Sequence, residues 1–223
     1  MKNLEKVYFF SKVEEKILNF WKEKEIFKVE KLPKSYKKDY LVFLPPPNIT
    51  GTLHMGHALN ASIQDILVRF KRLKKFRTLW IPGIDHAGIA THRVVERELL
   101  KEGKTRFEIG KEEFLKRIWQ WKEKYGHIIL EQLRRLGASF DFSKTVFTMD
   151  ENYSLAVKTA FLHYFKKGMI YKKEKVINWC PQCHTSLSDL EVEYTQEKEN
   201  LYYIRYPLSK EVGFITVATT RPE

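Results

Sequence analysis

Two short apolar runs, YLVFL (Tyr40–Leu44) and TLWI (Thr78–Ile81), are each cut off by proline. Each leads into a peptide rich in glycine and histidine: PPPNITGTLHMGH from Pro45 to His57, and PGIDHAGIATH from Pro82 to His92. Neither run alternates polar and apolar residues, which is the pattern of a strand covered on both faces. Proline lacks an N–H and fixes φ, so both strands are expected to stop there. A helical stripe of Ile63, Ile66, Leu67, Phe70 and Leu73 follows the first peptide, predicting a helix from His54 or Gly56 to about Leu73. A second helix is expected from Gly88 to Lys101, with Gly103 just past its end. Strand, loop, helix, repeated once, restricts the chain to an α/β class with a parallel, doubly wound sheet. Ligands of such sheets bind beyond the carboxyl ends of the strands, and both peptides fall at that edge.

The rest of the chain fills in around this unit. Ser11 and Glu14 have capping-box spacing and head an amphipathic pattern over 11–27. Residues 31–38 read as a polar, basic linker. A long helix is expected from Lys111 to Leu136, weakened at Gly126 and stopped by Gly137. A short β-like stretch, Phe140–Thr148, precedes a helix from Glu151 to Lys167 that ends at Gly168. Trp119, Trp121 and the aromatic-rich turn at 161–165 read as core rather than as stacking platforms for bases. Val176–Trp179 is strand-like and enters CPQCH. LYYIRYPL and GFITVATT read as a hairpin around Ser209–Gly213.

Charge narrows the partners. The 40 Lys+Arg against 28 Asp+Glu leave +12, which favours a polyanion such as nucleic acid, although a solubilising surface gives the same count. The cluster Arg69, Lys71, Arg72, Lys74, Lys75 and Arg77 is either a phosphate-backbone patch or a solvated helix end. Two cysteines spaced C-x-x-C are no disulfide framework, no apolar run approaches membrane-spanning length, and MKNLEKVYFF lacks a signal-peptide core. These features together lead to the expectation of a cytoplasmic protein with no membrane partner.

Three groups carry chemistry. His54 and His57 lie on one face of a helix start, where backbone N–H groups and the dipole favour phosphate, and Gly56 between them would let a flat ring approach. Two surface histidines are the alternative. Asp85 could receive a ligand cation or could cap the helix that begins near Gly88. Cys180 and Cys183 have the spacing of half a zinc site.

The peptides PPPNITGTLHMGHALN, LWIPGIDHAGIATHRVVERELLKEGKTR, WQWKEKYGHIILEQLRRLGASFDFS, FTMDENYS and VINWCPQCHTSLSDLEVEY resemble the N-terminal portion of class I aminoacyl-tRNA synthetases. HMGH is similar to their HIGH signature, and PPPN-x-TG with DHAGIAT points to the valyl branch rather than the isoleucyl or leucyl ones. The resemblance implies a Rossmann-type catalytic domain and a division into four parts. These are an N-terminal helix and linker (1–39), the first half of the catalytic domain (40–178), a zinc-knuckle-like turn (179–190) and the opening of a β-rich editing insertion (191–223). It implies catalytic roles for His54 and His57, and contacts to ATP with magnesium from Asn48, Thr50, Gly56, His54 and His57. Pro45, Pro46 and Asp85 would hold valine, Cys180 and Cys183 would be half of a zinc site, and Thr219, Thr220 and Arg221 would line the editing pocket. The implied activity is valine ligation to tRNA(Val) through valyl-adenylate by a full-length monomer. No KMSKS-type loop or anticodon-binding domain occurs in these residues, so the chain reads as a fragment, inactive alone; a non-catalytic RNA- or partner-binding module is the alternative. Departures from the family pattern are Ile84 for threonine, His92 for glutamine and Lys75 for glycine.

Overall fold

The computed structural model describes residues 7–36, 38–209 and 212–223. They form two compact units, one up to Tyr171 and one from Lys172. The first begins with α1 (Phe10–Lys24). The Ser11–Glu14 capping box does not form: Lys12 N–H already bonds to Phe9 C=O at 3.1 Å, which places Ser11 inside the first turn. A 3₁₀ turn at Val29–Lys31 follows, and β1 is Lys38–Phe43. The expected linker 31–38 includes Lys37, which lies outside the described residues.

β1 runs parallel to β2 (Phe76–Ile81), with Lys38 opposite Phe76 and Phe43 opposite Ile81. The expectation that β1 is covered on both faces fails: Leu41 and Phe43 are exposed, while Tyr40 and Val42 pack on the core. Among the described residues β1 pairs only with β2, so its other edge is unpaired. Between them lies α2 (Met55–Leu73), with His54 as its N-cap. Its period is as read from the sequence, but its buried face is not. Ile63, Ile66, Leu67, Phe70 and Leu73 all face outward. The core side is formed by Ala61 and Val68, two turns apart and fully buried, with Gln64, Asp65 and Arg72 beside them. Small residues bring the helix close to the sheet, and Gln64 Oε1 accepts the buried indole N–H of Trp80 at 3.0 Å.

After β2 the chain makes a second short strand, β3 (Gly83–Ile84), parallel to β4 (Val146–Phe147). α3 (Ile89–Lys101) and α4 (Arg106–Arg135) connect them. Thr105 and Glu108 cap α4 reciprocally, and Gly110, at φ 76°, kinks it before the long straight segment. Gly126 is a place of close approach rather than a weakness: a Cβ there would sit 3.0 Å from Ile84 Cδ1. The core joins Leu44, Ile49, Val68, Trp80, Ile84, Ile129, Leu133, Phe140 and Phe147. Trp80 stacks on Phe140 at 3.6 Å between centroids, a pairing worth about 1 kcal/mol beyond its buried area. α5 (Glu151–Lys166) contributes no buried residue, so its aromatic turn is not core. Trp119 is likewise half exposed.

The basic cluster from the last turns of α2 into β2 is mostly structural. Arg69 pairs with Asp65 at 2.7 Å and donates to Gly137 C=O; Arg72 donates to the hydroxyl and carbonyl of Ser139; Arg77 forms a two-point pair with Asp39. Burial lowers the Arg72 guanidinium to about 10 against the favourable charge of Asp65. Lys75 adopts φ 60°, the left-handed region that favours glycine, which accounts for the family's glycine at this turn.

The second unit holds two antiparallel hairpins, β5 (Asn178–Cys180) with β6 (Thr185–Leu187) and β7 (Tyr202–Pro207) with β8 (Phe214–Thr219). The expected turn at Ser209–Gly213 includes residues 210 and 211, outside the described residues.

The two charged pairs at α2 and β1 make a graded prediction. Asp65 also accepts from the backbone and hydroxyl of Ser139. Asp65→Ala therefore leaves buried donors unmatched and should lower stability by about 2–4 kcal/mol. Asp39→Ala breaks a pair whose side chains are more than half exposed and should leave the unfolding midpoint almost unchanged. Urea denaturation checks the difference, and equal effects would contradict it.

Candidate functional site

The two proline-stopped peptides remain side by side beyond the strands. Leu44 N–H bonds to Ile81 C=O at 3.1 Å, Asp85 N–H to Pro47 C=O at 2.8 Å, and Ile49 N–H to Asp85 C=O at 3.0 Å. Asn48 and Asp85 thereby form a parallel bridge. α4 anchors the first peptide from behind: Trp121 Nε1–H donates to Ile49 C=O at 2.7 Å, and Gln132 Oε1 accepts Leu53 N–H at 2.8 Å. Gly83 is buried because Pro46 fills the space of its Cβ, 3.2 Å away.

At the start of α2 the two histidines cap the helix reciprocally. His54 Nδ1 accepts Gly56 N–H at 3.1 Å, and His57 Nδ1 accepts His54 N–H at 3.3 Å. The rings lie 3.9 Å apart. A nitrogen that accepts a backbone N–H carries no proton, so both imidazoles hold theirs on Nε2. Two N–H donors therefore stand at a helix N-terminus, where the dipole already favours an anion. Gly56 makes room for this arrangement, since a Cβ would come within 2.9 Å of the His54 ring. That is a different use of Gly56 from seating a flat ligand. Burial, then the neighbouring His54, pushes the His57 pKa below its ordinary value.

Asp85 does not cap α3, whose N-cap is Gly88 with no side-chain bond. Its Oδ1 accepts the Thr148 hydroxyl at 2.8 Å and lies 3.4 Å from His86 Nδ1. Thr148 Oγ1 also accepts His86 N–H at 2.9 Å and sits 2.6 Å from His86 Nδ1. Sequence reading gives Thr148, Trp121, Gln132 and Gly83 no role in the site. Of the family departures, Ile84 is buried against α4, and His92 stands edge-on to Phe114 at 5.5 Å. Burial lowers the His92 pKa. Pro45 and Asn48 are exposed, and Thr50 is half-buried in the turn before Gly51.

In the second unit Cys183 N–H points at Cys180 Sγ, 3.4 Å away, and His184 N–H bonds to Cys180 C=O at 2.9 Å. An N–H aimed at sulfur suits a thiolate ligand, yet among the described residues no group of three or more His, Cys, Asp and Glu converges for a metal. Two thiols are fewer donors than a structural zinc site needs. Thr219 Oγ1 closes a turn on Arg221 at the end of β8, and Thr220 follows it in the exposed tail.

Residues 16–219 match the family described as tRNA synthetases class I (I, L, M and V). The chain belongs to this family. As a class I synthetase sequence it is 52% identical over 223 residues to a valine–tRNA ligase of Aquifex aeolicus, covering 98% of this chain and 19% of that protein. It is 51% identical over 223 residues to that of Geobacter sulfurreducens, covering 100% and 25%. It is 56% identical over 191 residues to that of Thermus thermophilus, covering 86% and 22%. The chain thus spans about a fifth to a quarter of these relatives' length. A solved LeuRS from Agrobacterium radiobacter K84, in a LeuRS–tRNA–LeuAMS complex, superposes with TM-score 0.63 at 22% identity over 84% of this chain and 22% of that one. That likeness shows the class I synthetase catalytic fold. No helix of the described residues is long and apolar enough to cross a membrane.

The reciprocal cap titrates in a stated direction. With the folded His57 pKa lowered, the unfolded chain takes up the proton first as pH falls. The neutral cap therefore contributes fully above about pH 6.5, the ordinary histidine value. That contribution is lost as pH falls through the lowered value. An NMR titration should give His57 a midpoint below about 6.5, and a midpoint above it would contradict the cap.

Proposed function

We propose that this chain binds ATP and valine for the valine–tRNA ligase reaction of the enzyme that carries it. The reading rests on one observation above all, the reciprocal imidazole cap that sets two Nε2–H donors at the start of α2. A triphosphate wants donors fixed before it arrives, and hydrogen bonds that tighten as charge grows at phosphorus lower the barrier. A valine carboxylate oxygen attacks the α-phosphorus of ATP, and the bond to the β-phosphate oxygen breaks. Valyl-adenylate and pyrophosphate result. His54 and His57 would hold phosphate oxygens, with Asn48, Thr50 and Gly56 along the nucleotide. Asp85 would take the valine ammonium, with Pro45 and Pro46 as a wall of its pocket. A hydroxyl of the terminal ribose of tRNA(Val) then attacks the valyl carbonyl, and AMP leaves. No protein nucleophile is needed; positioning and charge stabilisation carry both steps.

Magnesium would arrive on the phosphates and screen their charge there. Cys180 and Cys183 would hold zinc only with two further ligands. The part boundaries at 39, 178 and 190 belong to the same reading, in which 191–223 opens an editing domain with Thr219, Thr220 and Arg221 in its pocket. Editing has a physical reason known for valyl-specific enzymes themselves: an apolar pocket rejects isosteric threonine only about 10²-fold.

Valine-dependent ATP–pyrophosphate exchange in the whole enzyme tests the assignment. His57→Ala should lower exchange by about 10²-fold or more. Asp85→Ala should lower it comparably at subsaturating valine. Unchanged exchange in both would overturn the proposed site.

A further inference from the structure

Thr148 is the one side chain among the described residues that touches both members of the Asp85–His86 pair. It follows the end of β4, sixty-two residues from His86, and its own N–H bonds to Ile84 C=O at 3.2 Å. The hydroxyl has one proton and two lone pairs. An ionised carboxylate only accepts, so that proton goes to Asp85 Oδ1. The His86 backbone N–H occupies one lone pair. The remaining lone pair faces His86 Nδ1 at 2.6 Å, which requires the proton on Nδ1 and fixes that tautomer.

We propose that Thr148 is a positioning residue for amino-acid binding, holding Asp85 by Oδ1 so that Oδ2 faces the ligand's ammonium while locking His86 as its Nδ1–H tautomer. The inference rests on the reading that Asp85 receives the amine. Among the described residues, every contact of the Asp85 carboxylate uses Oδ1. The Asp85 backbone is already fixed by Pro47 and Ile49, so the side-chain torsions are the freedom left for Thr148 to remove. Fixing them before the ligand arrives lowers the ordering cost of binding. Without the hydroxyl, the carboxylate can rotate and two His86 donors lose their acceptor.

The test uses the whole enzyme and compares Thr148→Val, Thr148→Ser and Asp85→Asn in ATP–pyrophosphate exchange. Thr148→Val should raise KM for valine about 10-fold or more and leave KM for ATP within about 2-fold. Thr148→Ser should restore the wild-type value. A role in packing alone would weaken both substrates together and would not be rescued by serine. If Asp85→Asn leaves KM for valine unchanged, the amine assignment itself fails. If Asp85→Asn raises it and Thr148→Val does not, the Thr148 proposal alone fails. Nitrogen NMR of histidine-labelled wild-type enzyme needs no variant. A proton on His86 Nδ1 supports the proposal, and a proton on Nε2 overturns it.

Discussion

Pro45, Pro46 and Pro47 bring no N–H to a sheet, so the first strand should lose its neighbour where they begin. The chain instead keeps one-sided pairing. Pro47 still has a carbonyl, which accepts Asp85 N–H, and Asp85 C=O accepts Ile49 N–H as soon as a donor reappears. Those two bonds hold Asp85 against the loop that leads into α2. α4 then sets the loop's height through Trp121 and Gln132, and Gly126 lets it approach Ile84 closely. Loosening the pairing would separate the two peptides, whatever their own side chains did.

What was legible in the sequence is what local chemistry decides. His54 as the start of α2, Gly103, Gly137 and Gly168 as stops with positive φ, and the order of strands and helices all follow from residues within a turn or two. Which face of a helix is buried is decided elsewhere. In α2 the largest side chains point outward, because the sheet accepts Ala61 and Val68 and because Asp65 and Arg72 are needed to tie down the turn at 137–139. A hydrophobic stripe identifies a helix and leaves its partner open. Thr148 was invisible for the related reason that its role exists only once β3 and β4 pair.

The arginines in the last turns of α2 and in β2 show how net charge misleads at the level of residues. The excess of twelve positive charges is real and draws polyanions at long range. Arg69, Arg72 and Arg77 nevertheless direct their donors inside the molecule, to Asp65, Gly137, Ser139 and Asp39. Lys71 lies over Tyr40 and Phe76. A run of basic residues that looks like one patch is largely the fastening of α2 to the core.

The site histidines differ in how their Nδ1 atoms are engaged. His54 and His57 accept backbone N–H groups at Nδ1 and so turn donors outward, which suits a ligand rich in anionic oxygen. In the Thr148 proposal His86 is held the other way round, with Nδ1–H donating to Thr148 Oγ1 beside the Asp85 carboxylate. Hydrogen bonds that exist before any ligand binds thus engage Nδ1 of each ring, as an acceptor at the start of α2 and, in the Thr148 proposal, as a donor on the neighbouring loop.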